Sequence, residues 1–356
     1  MAVTWKTLLR WNTGYSADSV EWCPLVPYQD VLVCGTYQLD KKDEDQGENN
    51  KKQTRLGRIY LFVIDENSKE LCPVQTIDTA GVLDQKWCYH LVQDFPVLVA
   101  VTSEGYIQLY RLRSADGSLK LELWQEVLIG ESVLALSLDW SSNKSGSAEP
   151  MLVVSDSAGA VRVLKVAETG LREIFARQAH GFEAWVASFN YWNTDVFYSG
   201  GDDCLFKGYD RRAPDAVITN KSHEAGVTAI RGDVESEHRI LTGSYDEKVR
   251  LWDARSLKSC ISETEVGGGV WRLKWHPRAK GVVLAACMYG GFRLLRLEGD
   301  GGMRSEGAGG RQLHAVCEYR QHESIAYGAD WNHRNGLVAT CSFYDCRMHI
   351  GEILLE

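Results

Sequence analysis

No apolar run in the 356-residue chain approaches the roughly 18 residues that a membrane-crossing helix needs. The best stretches, such as residues 97–101 (VLVAV), are the size of a strand. The N-terminus, MAVTWKTLLRW, has neither a long apolar core nor a small-residue cleavage site. No signal peptide is therefore expected, and a cytoplasmic location is. Positive charge is in deficit. Lys and Arg number 39 against 48 Asp and Glu, a formal net charge of −9, which argues against non-specific binding to nucleic acid or anionic membrane. Paired cysteines are missing too. None of the ten forms a CxxC pair, and Cys34, Cys287 and Cys341 sit in apolar runs (VLVCGTY, LAACMYG, VATCSFYD) where buried reduced thiols belong. Neither a disulfide framework nor a zinc site is expected.

Familiar catalytic signatures are equally absent. There is no GxSxG elbow. His223-Glu224 and His322-Glu323 open like HExxH, but Val227 and Ala326 stand where the second histidine would be. The glycines near Gly299 and Gly307 do not space as a phosphate loop. No cofactor or metal is implied.

What the chain has in quantity is tryptophan, twelve residues against only seven prolines. Seven short alternating runs end in an aromatic residue or its stand-in and then turn: Trp22, Trp87, Trp140, Phe189, Gly232, Trp275 and Trp331. Successive anchors lie 65, 53, 49, 43, 43 and 56 residues apart. The shortest gaps approach the ~40–45 residues of a four-stranded propeller blade, and the longer ones carry insertions. After each anchor comes a second apolar strand ending in small residues, and a third follows almost at once. Period-2 patterning broken by Gly, Asn, Asp and Ser predicts strand throughout, with no helix. The clearest unit, His223 to Asp253, carries the dipeptide Trp252-Asp253 with Asp246 six residues before the tryptophan.

These units resemble the WD repeat, and seven anchors imply an all-β, seven-bladed β-propeller filling 1–356 as a single domain, expected to be monomeric. Each blade is a small sheet with two apolar faces that only neighbouring blades can cover, so the ring must close. The last blade supplies about three strands, and the N-terminal strand around Val3 to Leu9 is expected to add the outer fourth. Segments 41–52, 141–149 and 299–310 read as loops, the first highly charged and joining two strands of the first blade.

The WD-repeat pattern also gives structural work to His180, His223 and His322, each bonded toward a turn aspartate (Asp203, Asp246, Asp345) through Ser or Thr. Only the fifth blade has the complete set, with Ser244 as the hydroxyl.

Two positions per repeat fall on the loop-bearing face that such proteins use for ligands. Four residues before the anchors stand Asp18, Leu83, Leu136, Trp185, Thr228, Trp271 and Tyr327. One residue before the turn-aspartate place stand Ser103, Ser157, Asp202, Tyr245, Met288 and Tyr344, with Tyr37 equivalent in the first blade. Blades four to seven, with the first, supply aromatics and acids, and Glu183 sits two residues before Trp185. The second and third supply Leu and Ser. Aromatic faces attract a quaternary ammonium by about 0.5–2 kcal/mol each, so this arc suits a cationic ligand.

The strings ADSVEWCPL, CGTYQL, ALSLDWS, FEAWVASFNYW, YSGGDD, GGVWRLKWHP, LAACMYGGF, YGADW and ATCSFYD, in order along nearly the whole chain, resemble the WD-repeat diphthine methyl esterase (diphthine methyltransferase) family of the diphthamide pathway. The resemblance implies a hydrolase that demethylates methylated diphthine on eukaryotic elongation factor 2, releasing methanol and leaving the carboxylate for the final amidation. The trimethylammonium head of that side chain would sit among Trp185, Trp271, Tyr327 and Tyr245, with Glu183 or Asp202 balancing its charge. Ester hydrolysis needs a nucleophile or an activated water, and donors for the oxyanion. The candidates are His180 as base oriented by Asp203, and Arg272 as oxyanion stabiliser, with Cys287 and Cys341 as alternative nucleophiles. Two other readings remain: a non-catalytic WD-repeat scaffold, and a reader of trimethylated lysine.

Overall fold

A computed structural model describes residues 3–40, 53–65, 68–115, 117–147, 149–213, 215–298 and 311–355. The segments 41–52 and 299–310 lie outside the described residues. Among those described, the chain forms seven four-stranded antiparallel sheets arranged as a β-propeller. The innermost strands are Ser16–Trp22, Val82–Trp87, Ala135–Trp140, Val186–Phe189, Val227–Gly232, Arg272–Trp275 and Ala326–Trp331. Every one ends on an anchor. Each packs against its counterparts in the blades on either side, and Ser16–Trp22 meets Ala326–Trp331, so the wheel is closed.

Burial explains why the second strands read as unbroken apolar runs. In Val31–Leu39, Val31 and Val33 enter the cluster shared with blade two, while Leu32 and Cys34 enter the one shared with blade seven. A strand covered on both faces has no polar side to show. Each of the seven apolar clusters among the described residues spans two neighbouring blades. Small residues set the spacing: a Cβ on Gly243 would lie 2.3 Å from Val270 of the next blade, and one on Gly200 2.6 Å from Val227.

The anchors also staple blades together. The Trp87, Trp140 and Trp331 indoles donate to the carbonyls of Glu21, Lys86 and Lys274, each the residue before the preceding blade's anchor.

The last blade runs Val3–Asn12, Arg347–Leu355, Leu337–Ser342, Ala326–Trp331 from rim to axis, with Val3 opposite Leu355 and Trp11 opposite Met348. The N-terminal strand is thus its outer strand. It also fills the place left by Gly351 at the blade's tryptophan position. A Cβ on Gly351 would lie 2.7 Å from Trp5 Nε1, and the Trp5 ring stacks on Tyr319 at 4.7 Å.

One expected loop is tied down, and one expected bonding partner changes. Segment 141–149 is irregular, but Ser141, Ser142 and Asn143 are buried, Asn143 donates to Asp139 at 3.1 Å, and Lys144 lies 3.4 Å from the Trp192 ring centre. In the fifth blade Thr242, not Ser244, is the bridging hydroxyl. It joins the Trp252 indole (2.8 Å) to His223 Nε2 (3.0 Å), while Ser244 donates to the Ala225 carbonyl. Thr242 pairs beside Arg250 on the third strand, which places its hydroxyl under the indole. No helix among the described residues is long and apolar enough to cross a membrane.

Candidate functional site

The positions four residues before the anchors share a backbone feature. In blades one, two, three, five and seven, strand pairing shifts across Asp18, Leu83, Leu136, Thr228 and Tyr327. A bulge adds an unpaired residue and re-aims its side chain. In blades four and six, Trp185 and Trp271 occupy the place just before the strand begins. Most of these side chains gather at one mouth of the wheel.

That mouth is a cavity of about 710 Å³ to which all seven blades contribute. Asp18, Glu183, Trp185, Tyr245, Trp271, Tyr327 and Tyr344 line it, opposite Leu83 and Leu136. The aromatic rings form a continuous arc. Tyr245 and Trp185 meet edge to face at 6.2 Å, as do Trp185 and Trp271 at 5.9 Å, and Trp271 and Tyr327 are tilted against each other at 4.7 Å. Phe343 extends it, 4.9 Å from Tyr327 and 5.9 Å from Tyr37. Asp202 stands behind the arc, not in the lining. It accepts the Trp185 indole N–H at 3.0 Å.

The acidic groups of the mouth sit among neutral phenols. Burial beside Asp202 and Glu183 pushes the Tyr245 phenol up, and burial near Asp18 does the same to Tyr327, so both stay neutral. Asp18 itself is 2% exposed, and its Oδ1 has no hydrogen-bond partner. Burial pushes its carboxyl up to about 8, against the pull of Arg272 and with a push from Asp84. The Trp271 indole N–H is likewise buried without a partner.

The three residues expected to perform hydrolysis do not join this cavity. His180 is buried with both ring nitrogens engaged, Nδ1 2.8 Å from Asp203 and Nε2 2.7 Å from Ser199. Burial depresses its pKa, so it is a neutral, fully bonded group between strands, and neither it nor Asp203 lines the mouth. Arg272 lies one residue past the rim position, which turns it inward. Its guanidinium reaches Asp84 at 3.2 Å and the Leu83 carbonyl at 3.3 Å, in the narrow space between inner strands. Cys287 and Cys341 are fully buried thiols, Cys287 pushed up to about 12 and Cys341 well above its ordinary value, by burial. Burial and a raised pKa are the marks of an inert, structural thiol.

Sequence reasoning missed Phe343 and Arg55. Phe343 occupies the blade-seven counterpart of Ser244, a place read as structural. Arg55, whose Nε donates to Tyr37 at 2.9 Å, opens a third strand and carries no repeat signal. It is the arginine of the lining, which holds no lysine or histidine among the described residues.

Comparison with known proteins agrees with this architecture. A family model described as WD domain, G-beta repeat, matches residues 215–253, around the fifth blade. A chain in a crystal structure of the mitotic checkpoint complex superposes with a TM-score of 0.69 over 98% of this chain and 91% of that one. At 14% identity that likeness concerns the fold alone. The human protein named diphthine methyltransferase is 42% identical over 337 residues, covering 90% of this chain and 73% of its own length. The chain belongs to the diphthine methyltransferase family. A Dictyostelium discoideum homolog of that name is 34% identical and spans 93% of this chain and 95% of its own. The Schizosaccharomyces pombe diphthine methyltransferase is 31% identical over 96% and 95%.

Proposed function

We propose that this chain works in diphthamide biosynthesis as a carboxylic ester hydrolase, removing the methyl ester from methylated diphthine on elongation factor 2 and releasing methanol. One observation carries the reading beyond family membership: the arc of Tyr245, Trp185, Trp271 and Tyr327 with Glu183 and Asp18 in one cavity. Diphthine bears a trimethylammonium group, and aromatic faces beside carboxylates are the chemistry that binds a permanent cation. A cavity of this size takes a long side chain, not a whole domain. The protein around that side chain would meet the loops at the mouth, where Phe182, Tyr289 and Tyr344 are exposed. A cytoplasmic, monomeric enzyme fits the substrate.

Incubating the chain with methylated elongation factor 2 and weighing the factor by intact-mass spectrometry tests this. The expected result is loss of the mass of one methylene with one equivalent of methanol. Binding without that loss would instead make the protein a scaffold or a reader of trimethylammonium marks.

A further inference from the structure

We propose that Asp18 is the general base of this hydrolysis and that the Trp271 indole N–H donates to the ester oxygen. The assignment rests on the esterase reading above. It starts from two oddities of the cavity wall. Buried polar groups in folded proteins are nearly always hydrogen-bonded. Here Asp18 and Trp271 line one cavity, and Asp18 Oδ1 and Trp271 Nε1, an acceptor and a donor just beneath its surface, both lack partners. The backbone keeps them so. Asp18 is the extra residue between Ala17, paired with Thr36, and Ser19, paired with Gly35. Trp271 is fixed by its backbone N–H, which donates to the Ala286 carbonyl at 2.8 Å. Turned a little toward the cavity, the two groups meet their missing complement in a reacting ester with its water, since water donates and the carbonyl accepts.

The groups facing Asp18 are Arg272, Asp84, Tyr327, Cys34 and Cys341. Arg272 is held by Asp84, so no cation pairs directly with Asp18 among the described residues. Glu183 is the other carboxylate of the lining and is only half-buried, which suits charge balance better than proton transfer. Two carboxylates in different surroundings thus take two tasks.

The step balances as follows. Asp18 carboxylate takes a proton from water as the water oxygen bonds to the ester carbon, and the carbonyl electron pair moves to oxygen, where Trp271 N–H holds it. Re-forming the carbonyl breaks the bond to methoxide. That group takes the proton back from Asp18 and leaves as methanol, and the acid product loses its own proton to solvent. In the free protein Asp18 is largely protonated at neutral pH, so kcat/KM should rise through about pH 8. A bound quaternary ammonium favours the carboxylate, so the inflection in kcat should fall lower.

The experiment uses the full chain and methylated elongation factor 2, following methanol release for wild type, Asp18→Asn and Trp271→Phe. Asp18→Asn should lose kcat by about 100-fold or more with KM little changed. Trp271→Phe, which keeps a ring and removes the donor, should lose about 100-fold. Binding of tetramethylammonium by Asp18→Asn reports an intact cavity. If that variant does not fold, Trp271→Phe and the wild-type pH profile decide. Wild-type turnover that survives in Asp18→Asn, or shows no rise through about pH 8, overturns the assignment alone. Wild type that releases no methanol overturns the esterase reading and this assignment with it.

Discussion

Trp185 donates its indole N–H to Asp202 Oδ1 at 3.0 Å, within the fourth blade, and this bond fixes the ring that joins Tyr245 to Trp271 in the aromatic arc. A charge-assisted bond of this kind holds the ring edge toward the acid and leaves a face for the cavity. Asp202 is thereby a positioning residue. Asp202→Ala should raise KM for the methylated factor about fivefold, the equivalent of roughly 1 kcal/mol, with kcat within about twofold. Steady-state methanol release checks the split. An equal fall in kcat would place Asp202 in the chemistry instead.

The stability of the wheel should pass through a maximum with pH. Burial depresses His276, His333 and His349 to about 4 and His322 to about 2, with His180 and His223 lowered as well. Below about pH 6.5 the unfolded chain therefore binds protons that the folded chain refuses, and stability falls with falling pH. Asp18 and Glu21 act oppositely. Raised to about 8 and about 7, they favour the folded state while protonated and cost stability as pH rises. Six histidines outweigh two carboxylates on the acid side, and above about pH 6.5 the histidine contribution fades while the carboxylates go on titrating. The melting temperature should peak near pH 6.5, and Asp18→Asn should remove most of the decline toward pH 8. A melting temperature flat across this span would contradict the burial of these groups.

The wheel and its mouth were legible for a physical reason. The anchors and the positions four before them recur because six of the seven blades end their inner strand on a large aromatic group, and five open it with a bulge at the mouth. In the fourth blade the buried Phe189 ring does the work that an indole does in most of the others. Orientation one residue further on was not legible. Trp271 and Arg272 are neighbours in sequence, yet one lines the mouth and the other turns into the inner-strand layer, where Asp84 from the opposite side of the ring holds it. His180 takes the bonded, structural place that the repeat pattern gives it, but its second partner was not legible: Ser199, which occupies that nitrogen, lies four residues before the turn aspartate, and only the sheet register brings the two together.

Around the axis, Lys274 reaches Glu21 and also Asp330, the latter at 3.3 Å, and all three are buried. Asp330 accepts in addition the backbone N–H of Trp22 at 2.7 Å, joining blade seven to blade one. Removing the ammonium leaves two carboxylates without their counter-charge. Lys274→Met should destabilise the fold by about 3–5 kcal/mol, read as a lowered denaturant midpoint with unchanged slope. Adding Glu21→Gln should recover part of that loss, because one of the two stranded charges is then gone. No recovery would mean that the lysine acts through packing.

Closure depends on the strand Val3–Asn12, which pairs along Arg347–Leu355 and lays Trp5 against Gly351 and Tyr319. Deleting it exposes a nine-residue edge strand and uncovers the apolar cluster shared by blades six and seven, into which Val3 and Trp5 pack. An open edge beside apolar surface pairs with other chains. The truncated chain should therefore elute as large oligomers and lose its cooperative melting transition, whereas a peptide covering residues 3–12, added during refolding, should restore some monomer by supplying the strand in trans. Replacing Trp5 alone by Ala should lower the melting temperature without oligomers, since the backbone pairing survives. A truncated chain that remains monomeric and melts as the intact one does would show that the ring holds without its clasp.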